Sequence, residues 1–368
     1  MAKAPLVLWT ETDFPQVAQF LKMQNRQLDK AVAAAARPQW WMPLASQDQR
    51  ALIGVEPLYL GGFGGVCTAL AARAMLRLKA GDFDGFLADI VAVKRLGRHM
   101  TQADLRVRLI GVNIDRIANK TIAAAARSGF FTVEQAAALS QALAALPPLA
   151  NVADALDTTM RWERLDLVVL VATGNTGVTK VDNLGFDTMF ASIDRAAVNW
   201  DLAFKHVNRT YDELVAAMKL PNIADVTQKT AAIENRERQW KSAAPSPVDI
   251  SFRQTQPYAA RDAYSEWVAQ GMMAMLLGSY GKPEEMYRQA IMEDDMLRVL
   301  LAAAAAQART GTWPATADEL IPARLRELPR DMYSADGRDA VRYKLTDKGP
   351  RIYSAGDGKR DFGIGAEP

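Results

Sequence analysis

The stretch TALAARAMLRLKAGDFDGFLADI, residues 68–90, decides how the chain is read. Ala71, Ala74, Met75 and Leu78 recur at i, i+3, i+4 and i+7, the spacing that lines one face of a helix. Phe83, Phe86, Leu87 and Ile90 repeat that spacing, with Gly81 and Asp82 between the two runs. Glycine accepts the left-handed conformation that ends one helix, and aspartate caps the next. The stretch therefore predicts a helical hairpin of the tetratricopeptide kind, although no full repeat signature runs through the chain.

Working upstream, Asp13 is a good N-cap with Pro15 in the first turn, and Val17, Leu21, Leu28, Ala31 and Ala35 share a face until Pro38. Gly61, Gly62, Gly64 and Gly65 read as a turn. They do not form a phosphate loop, because Val66, Cys67 and Thr68 follow where lysine and then serine or threonine are needed. Downstream, Val107, Ile110, Ile114, Ile117 and Thr121 form a stripe that stops at Ser128 and Gly129. Thr132 and Gln135 make a capping-box pattern for the next helix, which ends at Pro147 and Pro148.

A further helix runs from Val152 to Ala172, and Thr173 to Gly177 reads as a loop. Trp200, Phe204, Val207, Tyr211, Leu214 and Met218 mark an amphipathic helix whose aromatics serve the core or line a ligand groove. Helical composition resumes from Ile223 to Lys241, and Pro245, Pro247 and Pro257 punctuate a linker. A long helix from Pro283 carries the alanine run Ala302 to Ala306, which permits close packing, and Gly311 ends it. Asp318 to Leu325 reads as a short helix. Val341, Tyr343 and Leu345 then alternate with polar residues, and Arg351 to Ser354 pair back as a hairpin. Tyr343 and Ile352 are expected to approach the alanine face of the long helix.

The expected fold is mainly α: a helical-hairpin array or bundle followed by a small α+β module with a β-hairpin. The expected units are a helical domain over 13–241, a linker and connecting helix over 242–282, and the long helix with its module over 283–368.

Lysine plus arginine exceed aspartate plus glutamate by 44 − 42 = 2, with the signs interspersed, so nucleic acid is not an expected partner. Cys67 is the one cysteine and His99 and His206 the two histidines, which leaves zinc sites and histidine triads short of residues. The apolar stretch Leu6 to Trp9 is too short for a signal-peptide core, and no run reaches the roughly 20 residues that span a bilayer.

Ala72 to Leu78, the Gly81-Asp82 break, Arg95-Leu96-Gly97-Arg98, Leu146-Pro147-Pro148-Leu149, Glu163-Arg164 and Asn199-Trp200-Asp201 with Asn208, Tyr211 and Asp212 follow one another in a recognisable order. In that pattern the chain resembles a family of planctomycete envelope proteins of no established activity, over about Phe14 to Gly363. The resemblance implies a place in the cell envelope or periplasm. After the long helix, Gly311-Thr312-Trp313-Pro314, Leu320, Pro329, Asp331, Tyr343 and Tyr353-Ser354-Ala355-Gly356-Asp357-Gly358 resemble the head of the major type II secretion pseudopilins. That family's closing loop binds calcium, which makes Asp357 and Asp361 candidate ligands here. Glycines at 356 and 358 would let the backbone turn so that both carboxylates face one centre, with carbonyls completing a cage suited to calcium. The other reading of the same loop is a solvated hairpin tail.

Glu163, between Arg161 and Arg164, reads as a helix-packing ion pair or as a carboxylate tuned for acid-base work. His99 and His206 read as surface or cap residues, and Asp294 and Asp295 after Glu293 as a solvated helix face or, alternatively, a cation site. No catalytic constellation emerges. The expected function is a non-enzymatic scaffold or binding protein of the bacterial envelope with a protein partner. The alternative is a carboxylate-dependent hydrolase or other enzyme with its site between helices. A deep pocket with converging carboxylates would favour the enzyme, and a shallow apolar groove would favour binding.

Overall fold

The computed structural model describes residues 2–40, 52, 60–174, 193–239, 258–276, 280–321, 325–334, 339–354 and 362–365. The chain is mainly helical, with a small carboxy-terminal antiparallel sheet. Helix α1 spans Pro15–Ala35 and buries Val17, Leu21, Leu28 and Ala35. Phe14, and not Asp13, holds the N-cap position, because the Asp13 carboxylate turns back to accept from Thr10 N at 2.7 Å.

Helix α2, Leu60–Lys79, contains the glycines expected as a turn. Glycine costs a helix about 1 kcal/mol per residue, but from Cys67 onward Leu70, Ala71, Ala72, Ala74 and Met75 are fully buried, and that packing carries the helix. The hairpin forms as read. Gly81 takes φ +85°, and the Asp82 carboxylate accepts from Gly85 N at 2.8 Å to open α3, Phe83–Met100. Asp104 caps α4, Leu105–Arg127, and the Thr132 and Gln135 box opens α5, Val133–Ala144.

The helix expected from Val152 to Ala172 is interrupted. It consists of α6, Val152–Ala155, a π turn at Leu156–Met160, and α7, Arg161–Thr173. Thr158 Oγ1 donates to Asp154 O at 2.6 Å and Thr159 Oγ1 to Ala155 O at 3.3 Å, and such back-bonding loosens the helical ladder. Then come α8, Trp200–Met218, α9, Ile223–Arg238, α10, Tyr258–Leu276, and the 30-residue α11, Gly281–Thr310, ended by Gly311 at φ +80°. A single 3-10 turn, Ala317–Leu320, replaces the short helix expected to reach Leu325.

The expected hairpin is β1, Arg342–Thr346, with β2, Gly349–Ser354. A third strand, β3, Phe362–Gly365, pairs antiparallel with the other side of β2. Ile352 stands opposite both Tyr343 and Ile364.

Two apolar cores organise these elements. The first joins α1 to α5 with the second half of α11 and with Ile352 and Ile364 of the sheet. The second joins residues of α6 to α10 with Leu105 and Tyr280. Val112, Leu149 and Ala290 form a small cluster of their own. The cores therefore cut across the division expected at residue 283, because α11 shares its alanine face with α4 and α5. Ile352 reaches that core fully buried, while the Tyr343 hydroxyl donates to Pro314 O at 2.7 Å. Arg127 Nη1 donates to Gly365 O at 2.6 Å, tying α4 to β3.

Helices α3 and α4 touch backbone to backbone. A Cβ built on Gly111 would stand 2.5 Å from Gly97 O, and one on Gly97 would stand 2.8 Å from Gly111 O. Among the described residues no helix is long and apolar enough to cross a membrane.

Candidate functional site

Helices α3, α4 and α11 meet over a buried charge network. Lys94 Nζ donates to Asp115 Oδ2 at 2.5 Å, Asp294 Oδ1 at 2.6 Å and Asn119 Oδ1 at 2.9 Å, so its three protons are committed. Arg98 reaches Asp294 Oδ2 at 2.7 Å and Asp115 Oδ1 at 3.4 Å, and it also donates to the Pro147 carbonyl. Asn119 Nδ2 donates to Asp294 Oδ1 at 2.9 Å. Two cations thus balance two carboxylates. Lys94 is 1 % exposed and Asp115 fully buried, which is tolerable only because every charge is paired. The Gly97–Gly111 contact sets the helices close enough for the short Asp115 side chain to reach Lys94 and Arg98.

Burial pushes the Asp115 carboxyl up to about 6, with Asp294 adding to the shift and Lys94 and Arg98 opposing it. Burial acts the same way on Asp294, but Lys94 and Arg98 outweigh it and hold that carboxyl below its ordinary range. In the unfolded chain both would titrate near ~3.9. Between about pH 4 and 6 the folded chain therefore holds the extra proton at Asp115, and its contribution to stability falls as pH rises. The contribution of Asp294 has the opposite sign and is lost as pH falls below about 4. Asp115→Asn is expected to remove the Asp115 part of the slope between about pH 4 and 6 in urea denaturation, and an unchanged slope would refute this assignment.

One face of the network opens onto a groove along α11 made of two adjoining cavities. Its first part, with a volume of about 270 Å³, lies between the network and apolar walls that include Leu143, Leu146, Leu149 and Ile291. The second part, about 620 Å³, is lined by Met218, Leu220, Asn222, Ile291 and Met332 among others. Tyr287 and Ile291 line both parts. The Tyr287 hydroxyl is fixed by donation to Leu149 O at 3.1 Å, and burial raises its pKa to about 12.

Arg288 closes the far end. It donates to Glu284 Oε1 at 2.7 Å, Pro221 O and Leu220 O at 2.6 Å each, and Met218 O at 3.3 Å, so a cation caps the carboxyl end of α8. Another concavity, about 590 Å³ between α8 and α9, has mostly small apolar walls and, among the described residues, no buried charge.

The residues singled out from sequence fall mostly elsewhere. Glu163 is buried 3.5 Å from Arg164 and 3.7 Å from Arg106, and it lines none of these cavities. Burial raises its pKa and the two arginines oppose that rise. Both histidines are buried, contrary to the surface reading. His99 Nε2 lies 3.3 Å from Ala35 O in the last turn of α3, and His206 Nε2 lies 2.9 Å from Glu237 Oε2 between α8 and α9. The aromatic helix is core, with Tyr211 and Leu214 fully buried. Burial pushes the Cys67 thiol up to about 12, so it is inert at neutral pH.

The acidic run 293–295 is not a solvated face. Glu293 is gripped by Arg116 at 2.8 and 2.9 Å, Asp294 belongs to the network, and Asp295 is half-buried beside Arg298 at 3.1 Å. Asp357 and Asp361 lie outside the described residues. Among those described, no group of three or more acidic, histidine or cysteine side chains could hold a metal ion.

Sequence reasoning missed Lys94, Arg98, Asp115 and Asn119. The available signal was Lys94 at i+4 from Ile90, a charge set on the apolar stripe itself.

No family model matches the chain, and no curated protein or solved structure does either, so any reading of the groove rests on its own geometry.

Proposed function

We propose that this chain is a non-enzymatic scaffold of the bacterial cell envelope that receives a protein partner in the groove along α11. The envelope assignment rests on the sequence resemblance alone. The observation that carries the binding role is a groove with mainly apolar walls whose deep charges are already spent on one another. Asp294 accepts from Lys94, Asn119 and Arg98, and Asp115 is sealed beneath them. Three of the four lone-pair sites of Asp294 are taken and two cations hold its charge, which makes it a weak base, whereas apolar walls suit side chains of a partner.

The second reading, a carboxylate-dependent hydrolase, is favoured by one feature. Asp295 faces the groove beside Asp294, and burial raises its pKa despite Arg298. Display of random peptides against the protein separates the two. Sequences enriched on the wild type and lost on Ile291→Arg are the expected result. Lack of any such enrichment, together with turnover of ester or glycoside substrates that disappears in Asp295→Asn, would favour the enzyme.

The calcium reading belongs to the loop Ser354 to Asp361, with Asp357 and Asp361 as carboxylates. On that reading, calorimetric titration of calcium into chelator-treated protein gives heat that Asp357→Ala abolishes, and on the reading as a solvated hairpin tail it gives none. No heat at millimolar calcium would retire the calcium reading.

A further inference from the structure

Charge is distributed unevenly along the groove. At the end formed by the network, each cation has its acid, and Asp295 is paired with Arg298. At the other end Glu284 is the one acidic residue among the described residues of the lining, and Arg288 holds it. Arg288 also spends three of its other four protons on backbone carbonyls. That leaves Lys219 and Arg330, both exposed, both lining this part, and neither with an ion pair among the described residues. Among the described residues, the uncommitted charge of the groove is therefore positive and sits at one end.

The two cavities run along α11 from Glu284 to Arg298, about 21 Å at 1.5 Å per residue. That is the length of about six residues of extended chain. Met218 and Met332 give its walls adaptable side chains.

We propose that the occupant is an extended acidic segment of a protein partner. Its carboxylates meet Lys219 and Arg330, and its apolar side chains lie along Leu149, Tyr287 and Ile291. The inference rests on the binding role proposed above and names the partner's chemistry. Charge complementarity selects the acid, and two adjoining cavities with mainly apolar walls select a peptide over a small anion.

Fluorescence anisotropy with labelled peptides of alternating leucine and glutamate, about six residues long, tests it against lysine and glutamine counterparts. The glutamate peptide is expected to bind about tenfold tighter than the glutamine peptide at low salt. Salt should shrink that advantage. The double variant Lys219→Glu, Arg330→Glu, whose sites are exposed, should lose the advantage yet still bind the glutamine peptide. Equal binding of the glutamate and lysine peptides would overturn the acidic preference and leave the binding role standing. Displacement of the glutamate peptide by an equal concentration of glutarate would overturn the choice of a peptide. Failure of every peptide to bind would overturn both readings.

Discussion

Replacing Lys94 with methionine is expected to cost about 3–5 kcal/mol of folding stability, measured by urea denaturation. The shape of the side chain is nearly kept and the charge is removed. Asp115 then remains fully buried with only Arg98 at 3.4 Å, while Asp294 competes for that same arginine at 2.7 Å and leaves two carboxylates to one cation. A buried carboxylate stripped of its partner bears its desolvation uncompensated, and this sets the size of the effect. The exposed pair Lys22–Glu11 supplies the contrast, because its removal should change stability by about 0.5 kcal/mol or less. Removing charge from both sides in Lys94→Met, Asp115→Leu should cost less than the two single changes added together, since neither partner is then left alone. A loss near that of the surface pair for Lys94→Met alone would show that the network is not the joint between α3, α4 and α11.

Gly111→Ala is expected to destabilise the fold by about 3 kcal/mol, a large cost for one methyl group. The added Cβ would meet Gly97 O at 2.5 Å and Met100 Cβ and Thr101 N at 2.9 Å. Two of these three atoms are backbone, so rotamer changes cannot relieve the clash and α3 must move away from α4. Such movement would also lengthen the contacts of Lys94 and Arg98 with Asp115, coupling this effect to the first. Gly62→Ala is the control. Its Cβ meets nothing within 4 Å, and in a helix the change should stabilise by about 0.5–1 kcal/mol. Similar effects of the two substitutions would refute the account of the α3–α4 crossing.

The sequence disclosed what is decided within a few residues. Gly81 and Asp82, the Thr132 and Gln135 box and the stop at Gly311 are local devices, and each sits where its chemistry places it. The alternation of Val341, Tyr343 and Leu345 marked the hairpin for the same reason. Long-range facts were not legible. Lys94 and Asp294 are 200 positions apart, and nothing near either residue names the other. Asp294 therefore looked like a surface acid among acids. The glycines at 61–65 looked like a turn because propensity is a weak prior against the packing of the helix that follows. Strand β3, Phe-Gly-Ile-Gly, carries two glycines in four residues and is held by pairing with β2, a cause that period-two reading cannot see. The groove was illegible for the same reason, since its walls come from α3, α5, α8, α11 and the segments beside them.

Photo-crosslinking tests the central claim, that the groove along α11 is the partner-binding surface. A display-selected peptide carrying a photoreactive residue would be irradiated on the wild type and on Ile291→Arg, and the crosslinked residues mapped by mass spectrometry. Crosslinks are expected at Leu149, Met218, Tyr287, Ile291 or Met332, and they should vanish in the variant. Crosslinks at Ala216 or Ala232 in the cavity between α8 and α9, or a pattern unchanged by Ile291→Arg, would contradict it.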